Sequence, residues 1–389
     1  MALRVCRVRR RVPKAFCARL SRPVKRAVHY GGLRDAVLAS PVMLKTSGYA
    51  APSARAPLQP FSFERRDVGP RDVLIDIRYC GICHSDLHQA RDEWGGAAFP
   101  MVPGHEVVGL VAKIGKKVKK FRVGQAVGVG CFVDSCRKCH YCKMSEQQFC
   151  ENHVSFTYNS TEQDRLTPTF GGYSKQMVVD ENYVLRIPPG IPLQRAAPLL
   201  CAGITTYAPL RQWGVGKGTR LGVLGLGGLG HMAVKIGAAL GAEVTVFSRS
   251  EEKKKDAKRL GAARFLVTAN AKAFEDHQQY FETIIDTVSA KRPVDPYFEL
   301  LKTDGTYILV GVPEHPLELK AMPLISRRRK LVGSLIGGIA QTQEMLNFCA
   351  RKKLAADVEV IAMREVNAAY ERLLKGDVRY RFVLDLATL

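Results

Sequence analysis

The run Leu221-Gly222-Val223-Leu224-Gly225-Leu226-Gly227-Gly228-Leu229-Gly230-His231-Met232-Ala233-Val234-Lys235-Ile236 decides how this chain folds. Its leading residues predict a buried strand, the glycine cluster a tight turn, and the residues from His231 a helix. A second apolar strand, Glu243 to Phe247, closes the unit. A G-x-G-x-x-G pattern alone says little, but between a strand and a helix it predicts a dinucleotide-binding βαβ unit. Gly225 then permits the turn, Gly227 lets backbone approach a pyrophosphate, and Gly230 lets the helix pack on the strand. The helix N-terminus presents unpaired N–H groups to the phosphates.

Cofactor choice is read at the end of the second strand. A carboxylate there, about 20 residues past the first glycine, holds a free ribose 2′-hydroxyl. This chain offers Ser248-Arg249-Ser250, then Lys253 and Lys254. Hydroxyls and cations suit a 2′-phosphate, so NADP(H) is expected; Glu251 and Glu252 are the features that oppose it.

Working outward, apolar runs at Thr283–Val288 and Gly305–Gly311, spaced by helical stretches, predict a parallel sheet. Upstream, Arg195 to Gln212 reads as a helix. From Thr46 to Gly130 the style is different: short β-rich runs broken by Gly and Pro. Asp72–Cys80 alternates as a half-buried strand, Val107–Gly115 reads as another, and the β pattern resumes at Gly172–Val179. Glycines at 124, 128 and 130 suggest a curled, barrel-like sheet. The last fifty residues return to helix and strand and are expected to rejoin this first domain. The division expected is 46–200 with 337–389 as one domain and 201–336 as the other.

Two groups of candidate metal ligands stand out, all in the first domain except Cys201, which opens the second. Cys136, Cys139, Cys142 and Cys150 stand at C-x2-C-x2-C-x7-C, a spacing that closes a tetrahedron around zinc and leaves no vacancy. Cys83, His105 and Cys201 are the candidates for a three-ligand site with an open fourth position. Two Zn2+ per chain are therefore expected. Ser85 could accept a hydrogen bond from an oxygen bound at the open site, and His88 could pass the proton onward. Asp86 is placed to orient His105, and Glu106 to ligate when water leaves.

With 389 residues, 46% hydrophobic and 24% charged, the chain should form two ordinary globular domains. No apolar run approaches the 18 or so residues of a membrane span. The net charge of +23 invites a nucleic-acid reading, but residues 1–45 alone carry twelve Lys/Arg and one acid, Asp35. The remaining excess is thinly spread and no nucleic-acid motif accompanies it, so no nucleic-acid partner is expected. Cys6, Cys17, Cys80, Cys131 and Cys349 are left over, and an odd total fits a reducing compartment. Residues 1–45 are expected to form a disordered basic extension. It reads as a mitochondrial transit peptide or as sequence ahead of a start at Met43, the latter preferred, which makes the protein cytoplasmic.

G-x-C-H-S-D-x-H at Gly81–His88, G-H-E-x-x-G at Gly104–Gly109, the four-cysteine lobe, L-C-A-G-I-T-T-Y at Leu200–Tyr207 and the glycine loop together resemble the zinc-dependent medium-chain dehydrogenase/reductases. Within them the match is to the cinnamyl alcohol dehydrogenase-like, NADP-dependent aldehyde reductases. The resemblance runs from about Ser47 to the C-terminus. It implies an α/β fold, with a GroES-like β-barrel-type catalytic domain and a Rossmann doubly wound parallel-sheet domain. It also implies catalytic zinc at Cys83, His105 and Cys201, with Glu106 as alternate ligand, and structural zinc at the four-cysteine lobe. Ser85 and His88 match a proton relay through the cofactor ribose, and Asp86 a carboxylate behind the metal. Cofactor contacts are implied at Ser85, at Thr205, at Gly225, Leu226, Gly227, Gly228, Leu229 and Gly230, and at Ser248, Arg249, Ser250 and Lys253. Further contacts are implied at Thr287, at Gly311, and at Ser334, Leu335 and Ile336. The implied reaction moves a hydride between NADP(H) and a primary alcohol/aldehyde pair, in a homodimer.

Arg249 departs from the small hydroxyl common in the plant enzymes, which should strengthen phosphate preference. Phe156 stands where the plant lignin-pathway enzymes carry Trp, so a broad aldehyde range, aromatic aldehydes included, is expected, with Trp94 and Phe99 lining the pocket. The competing readings are a zinc-free quinone or enone reductase, and a non-catalytic NADP-binding protein that keeps the fold.

Overall fold

Arg220–Leu224 sits at the centre of a six-stranded parallel sheet in the computed structural model, which describes residues 43–313 and 315–389. The order is Arg264–Val267, Glu243–Ser248, Arg220–Leu224, Phe281–Asp286, Leu301–Leu309 and Lys330–Gly333. Leu221, Val223, Val244, Val246, Ile284 and Ile285 are fully buried, as strands covered on both faces require. That is why these runs read as continuously apolar rather than alternating. Strand order reverses between Arg220–Leu224 and Phe281–Asp286, so the glycine loop leaves the sheet at its topological switch point, where ligands enter such folds.

A second, mixed sheet has seven strands. Its path runs Val358–Ala362, Arg381–Asp385, Asp72–Gly81, Val107–Ile114, Ala126–Val129 and Leu185–Arg186, with Gln176–Asp180 also paired to Asp72–Gly81. The long central pair shifts register between Leu74 and Ile75 and again between Ile77 and Tyr79. Such bulges bend and twist a sheet, which curls it as the glycines suggested. The C-terminal strand pairs antiparallel with the strand that precedes Cys83, Val383 opposite Gly81. The last fifty residues thus return to the first sheet, and they bring Arg381 with them.

Several sequence expectations shift. The helix expected over Arg195–Gln212 is three pieces: Leu193–Ala196, a 3₁₀ turn at Ala197–Leu200, and Ala202–Gln212. Pro198 withholds an N–H, and the chain breaks at Cys201 (φ −126°, ψ −70°). The strand expected from Gly172 starts at Gln176, because the N–H groups of Gly171, Gly172 and Tyr173 go to the Val102, Gly104 and Pro103 carbonyls of a loop rather than to a strand ladder. Leu44–Ala50 pairs antiparallel with Gln59–Arg65, so Leu44 and Lys45 belong to the folded body rather than to the basic extension. The readings of residues 1–42 lie outside the described residues. Among the described residues no helix is long and apolar enough to cross a membrane.

Candidate active site

Cys83 follows the strand Asp72–Gly81 and caps the helix His84–Ala90. Its N–H donates to Asp86 Oδ2 at 2.8 Å. The other oxygen, Oδ1, accepts from Gly104 N–H (3.1 Å) and meets His105 Nδ1 at 3.0 Å. Tyr173 O–H adds a fourth donor to Oδ2 at 3.2 Å. Asp86 is thereby fully buried yet satisfied, and it holds the His105 ring with Nε2 turned to the remaining ligands. Cys201 arrives from the helix break. Donor atoms of Cys83, His105, Glu106 and Cys201 all lie within 4.8 Å of one another.

These residues fit a divalent metal. Sulfurs bound tetrahedrally at 2.3 Å stand about 3.8 Å apart, and Cys83 Sγ and Cys201 Sγ are 3.9 Å apart. Glu106 Oε2 is buried without any hydrogen-bond partner, an acceptor left for a cation. Burial pushes the Glu106 carboxyl up to about 7, against the pull of Arg381. A hydrogen bond donated by the Cys201 thiol pulls the Cys83 thiol well below its ordinary value.

Arg381 is the site residue that the sequence reading missed. It is 3% exposed, its Nη2 contacts Glu106 Oε1, and it lies under the glycine loop, where a Cβ on Gly228 would come within 2.8 Å of Nη1. One guanidinium therefore touches both the metal-ligand set and the dinucleotide loop. Its one sequence signal is an arginine inside the apolar strand Arg381–Asp385. Cys131, set aside as an unclaimed cysteine, lies beside Cys201, which lowers its thiol pKa.

Ser85 and His88 share one face of the helix, three residues apart. Ser85 Oγ is 3.6 Å from Cys83 Sγ. His88 Nδ1 is held by Glu93 Oε2 at 2.5 Å, which leaves Nε2 free, and the ring stacks on Trp94 at 5.2 Å. Tyr158 stacks on His105 at 5.8 Å and accepts a hydrogen bond from Gln89 (2.9 Å). Phe156 and Trp94 are exposed and Phe99 is half-buried.

The four-cysteine lobe forms a second cluster. Cys136 and Cys142 sulfurs are 3.9 Å apart, as are those of Cys139 and Cys150, again close to a zinc tetrahedron's edge. Backbone N–H groups of Cys136 and Cys139 and the Asn152 amide donate to these sulfurs. Backbone donation from Lys138 brings the Cys136 thiol down to about 6. The lobe docks through Gln147, whose Oε1 accepts Ile339 N–H at 3.1 Å. A Cys139→Ser variant should drop zinc content to about one per chain. Its thermal midpoint should fall by several degrees, at about 2–4 °C for each kcal/mol lost in a unit of this size.

On the cofactor side, the loop has the backbone geometry that its glycines permit. Gly225 has φ +88°, a Cβ on Gly227 would face open space, and a Cβ on Gly230 would sit 2.1 Å from the Gly225 carbonyl. None of the N–H groups from Leu226 to Gly230 has an acceptor among the described residues. These are the groups an anion would take. Lys253 reaches back to the Leu226 carbonyl at 3.0 Å, beside the exposed Arg249 and Ser250 and the half-buried Ser248. Glu251 turns to Lys254 on the surface (3.0 Å) and does not swing inward. Thr287 Oγ1 donates to Leu224 O (2.8 Å), and Gly311 packs on the Val288 backbone. Thr205 and Ile336 are buried, Ser334 is half-buried, and Leu335 is exposed. Within the basic run Arg327–Lys330, the buried Arg329 donates to Leu301 O (2.9 Å), and the exposed Arg328 pairs with Asp304 (2.7 Å).

Comparison with known proteins agrees with this architecture. Residues 69–189 match the alcohol dehydrogenase GroES-like domain, and residues 228–351 the zinc-binding dehydrogenase domain. The chain is 52% identical to an NADP-dependent alcohol dehydrogenase C of Mycolicibacterium smegmatis, over 89% of this chain and 99% of that one. It is 50% identical to the aldehyde reductase YahK of Escherichia coli, over 89% of this chain and 99% of that one. A cinnamyl alcohol dehydrogenase structure from Sorghum bicolor superposes with a TM-score of 0.86 at 46% identity, covering 88% of this chain and 98% of that one. Fold, donor set and relatives define an oxidoreductase. The chain belongs to the zinc-binding alcohol dehydrogenases with a GroES-like and a Rossmann-type part.

Proposed function

We propose that this protein reduces aldehydes with NADPH, and in reverse oxidises primary alcohols with NADP+, over a broad substrate range that includes aromatic aldehydes. The observation that carries the reading is the convergence of Cys83, His105, Cys201 and the unpartnered Glu106 oxygen beside Ser85. A zinc-free reductase would have no use for that donor set. When bound, zinc supplies a Lewis acid for the carbonyl oxygen, and the nicotinamide supplies or accepts the hydride.

The chain's own groups do the rest. Ser85 exchanges a proton with the substrate oxygen, and His88, oriented by Glu93, carries that proton to solvent. Asp86 fixes His105, and the unpaired N–H groups from Leu226 to Gly230 take the pyrophosphate. Residues 44–200 with 337–389 then form the catalytic part and 201–336 the cofactor part, Cys201 reaching across from the second to the metal site. Thr205, Thr287, Gly311 and Ser334–Ile336 are assigned to the cofactor. A homodimer is supported by the unpaired sheet edge Lys330–Gly333, with Leu331, Leu335, Met322 and Ile325 exposed near it. Nine cysteines without a disulfide among the described residues suit the cytoplasm.

The direct experiment follows NADPH and NADH oxidation with cinnamaldehyde, benzaldehyde and a short aliphatic aldehyde. Turnover with NADPH well above NADH supports the reading, and absence of turnover with all three aldehydes speaks against it. An Arg249→Ala, Lys253→Ala pair should raise KM for NADPH by about 10–100-fold, the loss expected of charge-assisted contacts, and leave KM for NADH within about twofold.

A further inference from the structure

His231, the first side chain after the glycine loop, takes no part in the reaction described above, yet it is fully buried. Its Nδ1 lies 2.8 Å from the Gly228 carbonyl, and its Nε2 faces Asp357 N–H at 3.4 Å. These partners fix the tautomer: Nδ1 carries the hydrogen and donates, while Nε2 accepts. Burial, with Lys235 and Arg381 nearby, pulls the imidazole down to about 3, so it stays neutral and can play both parts. The ring stacks on Tyr380 at 5.1 Å and 10°. Tyr380 N–H in turn donates to Asp357 O at 3.0 Å. Met232 N–H, which a regular helix would aim at Gly228, goes to the Leu229 carbonyl instead (3.0 Å).

The geometry points to His231 as a positioning residue that sets the phosphate-binding face of the loop. In a trans peptide, the C=O of one residue and the N–H of the next point in opposite directions. Holding the Gly228 carbonyl inward against His231 therefore turns Leu229 N–H outward, and that N–H has no acceptor among the described residues. Released from His231, the Gly228–Leu229 peptide would be free to rotate, and one donor of the anion cradle would lose its aim. Through Asp357 and Tyr380, the same imidazole ties the loop to the C-terminal segment that carries Arg381. The inference rests on the reading that a dinucleotide pyrophosphate sits on this loop.

Two variants separate positioning from packing, because Asn places an amide nitrogen where Nδ1 stands and Gln places one group where Nε2 stands. His231→Asn keeps a donor for Gly228, and His231→Gln keeps a partner for Asp357; both lose the ring stack. Titrating the zinc-loaded full chain with NADP+ and with 2′-AMP, which has no pyrophosphate, reads the difference. The expected result is NADP+ binding about tenfold weaker in His231→Gln, the size of one buried hydrogen bond, and within about threefold of wild type in His231→Asn. Inhibition by 2′-AMP should be unchanged in both, and kcat at saturating NADPH should not fall in either. Equal weakening of NADP+ in both variants, loss of 2′-AMP binding alongside it, or no weakening in His231→Gln would overturn the assignment. A wild-type chain that fails to bind NADP+ at all would instead remove the cofactor reading on which it rests.

Discussion

Cys201→Ala loses turnover, by on the order of 10⁴-fold in kcat, while NADP+ still binds. The several kcal/mol that a Lewis acid contributes to a carbonyl reduction correspond to that factor. Cys201 is placed by the break between the 3₁₀ turn and the helix Ala202–Gln212, and its sulfur stands 3.9 Å from that of Cys83. Removing it leaves one thiolate and one imidazole, with Glu106 already paired to Arg381, so the open site should hold zinc far more weakly. Zinc content should fall from about two per chain to about one, since the Cys136–Cys150 lobe is untouched. The glycine loop lies on the other sheet, so titration with NADP+ should give an affinity within a few-fold of wild type. Turnover retained at one zinc per chain would show that this cluster is not where the reaction occurs.

Arg381→Met should have the largest effect on stability. Arg381 and Glu106 are both buried and in contact, and neither carboxylate oxygen has another protein partner. Breaking such a pair from one side leaves an uncompensated charge and costs about 3–5 kcal/mol. The change should appear as a lower denaturation midpoint and as weaker zinc retention at the open site. Removing both charges, in Glu106→Gln with Arg381→Met, should recover part of the stability but not the activity. That recovery distinguishes charge pairing from simple loss of packing: if the double variant is no more stable than Arg381→Met, the ion pair is not what the arginine stabilises. Arg381 also lies under Gly228, so the single variant should weaken NADP+ binding as well.

Much of this molecule is legible in its sequence, because its clearest features are local. A strand, four glycines and a helix within sixteen residues announce the nucleotide unit, and the C-x2-C-x2-C-x7-C lobe contains its whole ligand set. The open metal cluster is less legible: residue types make Cys83, His105 and Cys201 candidates, but they come from three separate segments and only the family resemblance joins them into one site. What stayed hidden depends on strand pairing. Arg381 meets Glu106 because the C-terminal strand lies antiparallel to Asp72–Gly81, and no local pattern announces that pairing. Asp86 meets His105, but its further donors, Gly104 N–H and Tyr173 O–H, depend on how the loop at Gly171–Gly172 packs. Likewise His231 reads as an ordinary helix residue until Asp357 and Tyr380 arrive from more than a hundred residues downstream.

The central claim is that reduction occurs at the Cys83–His105–Cys201 site and requires its metal. Its most direct measurement follows benzaldehyde-dependent NADPH oxidation while zinc is withdrawn by a chelator and then restored, with metal counted at each stage. The account predicts that activity falls in proportion to loss of the first zinc equivalent, with the Cys136–Cys150 lobe still loaded, and returns when zinc is added back. Activity that persists after the open site is empty, or that falls only when the lobe loses its metal, would contradict it.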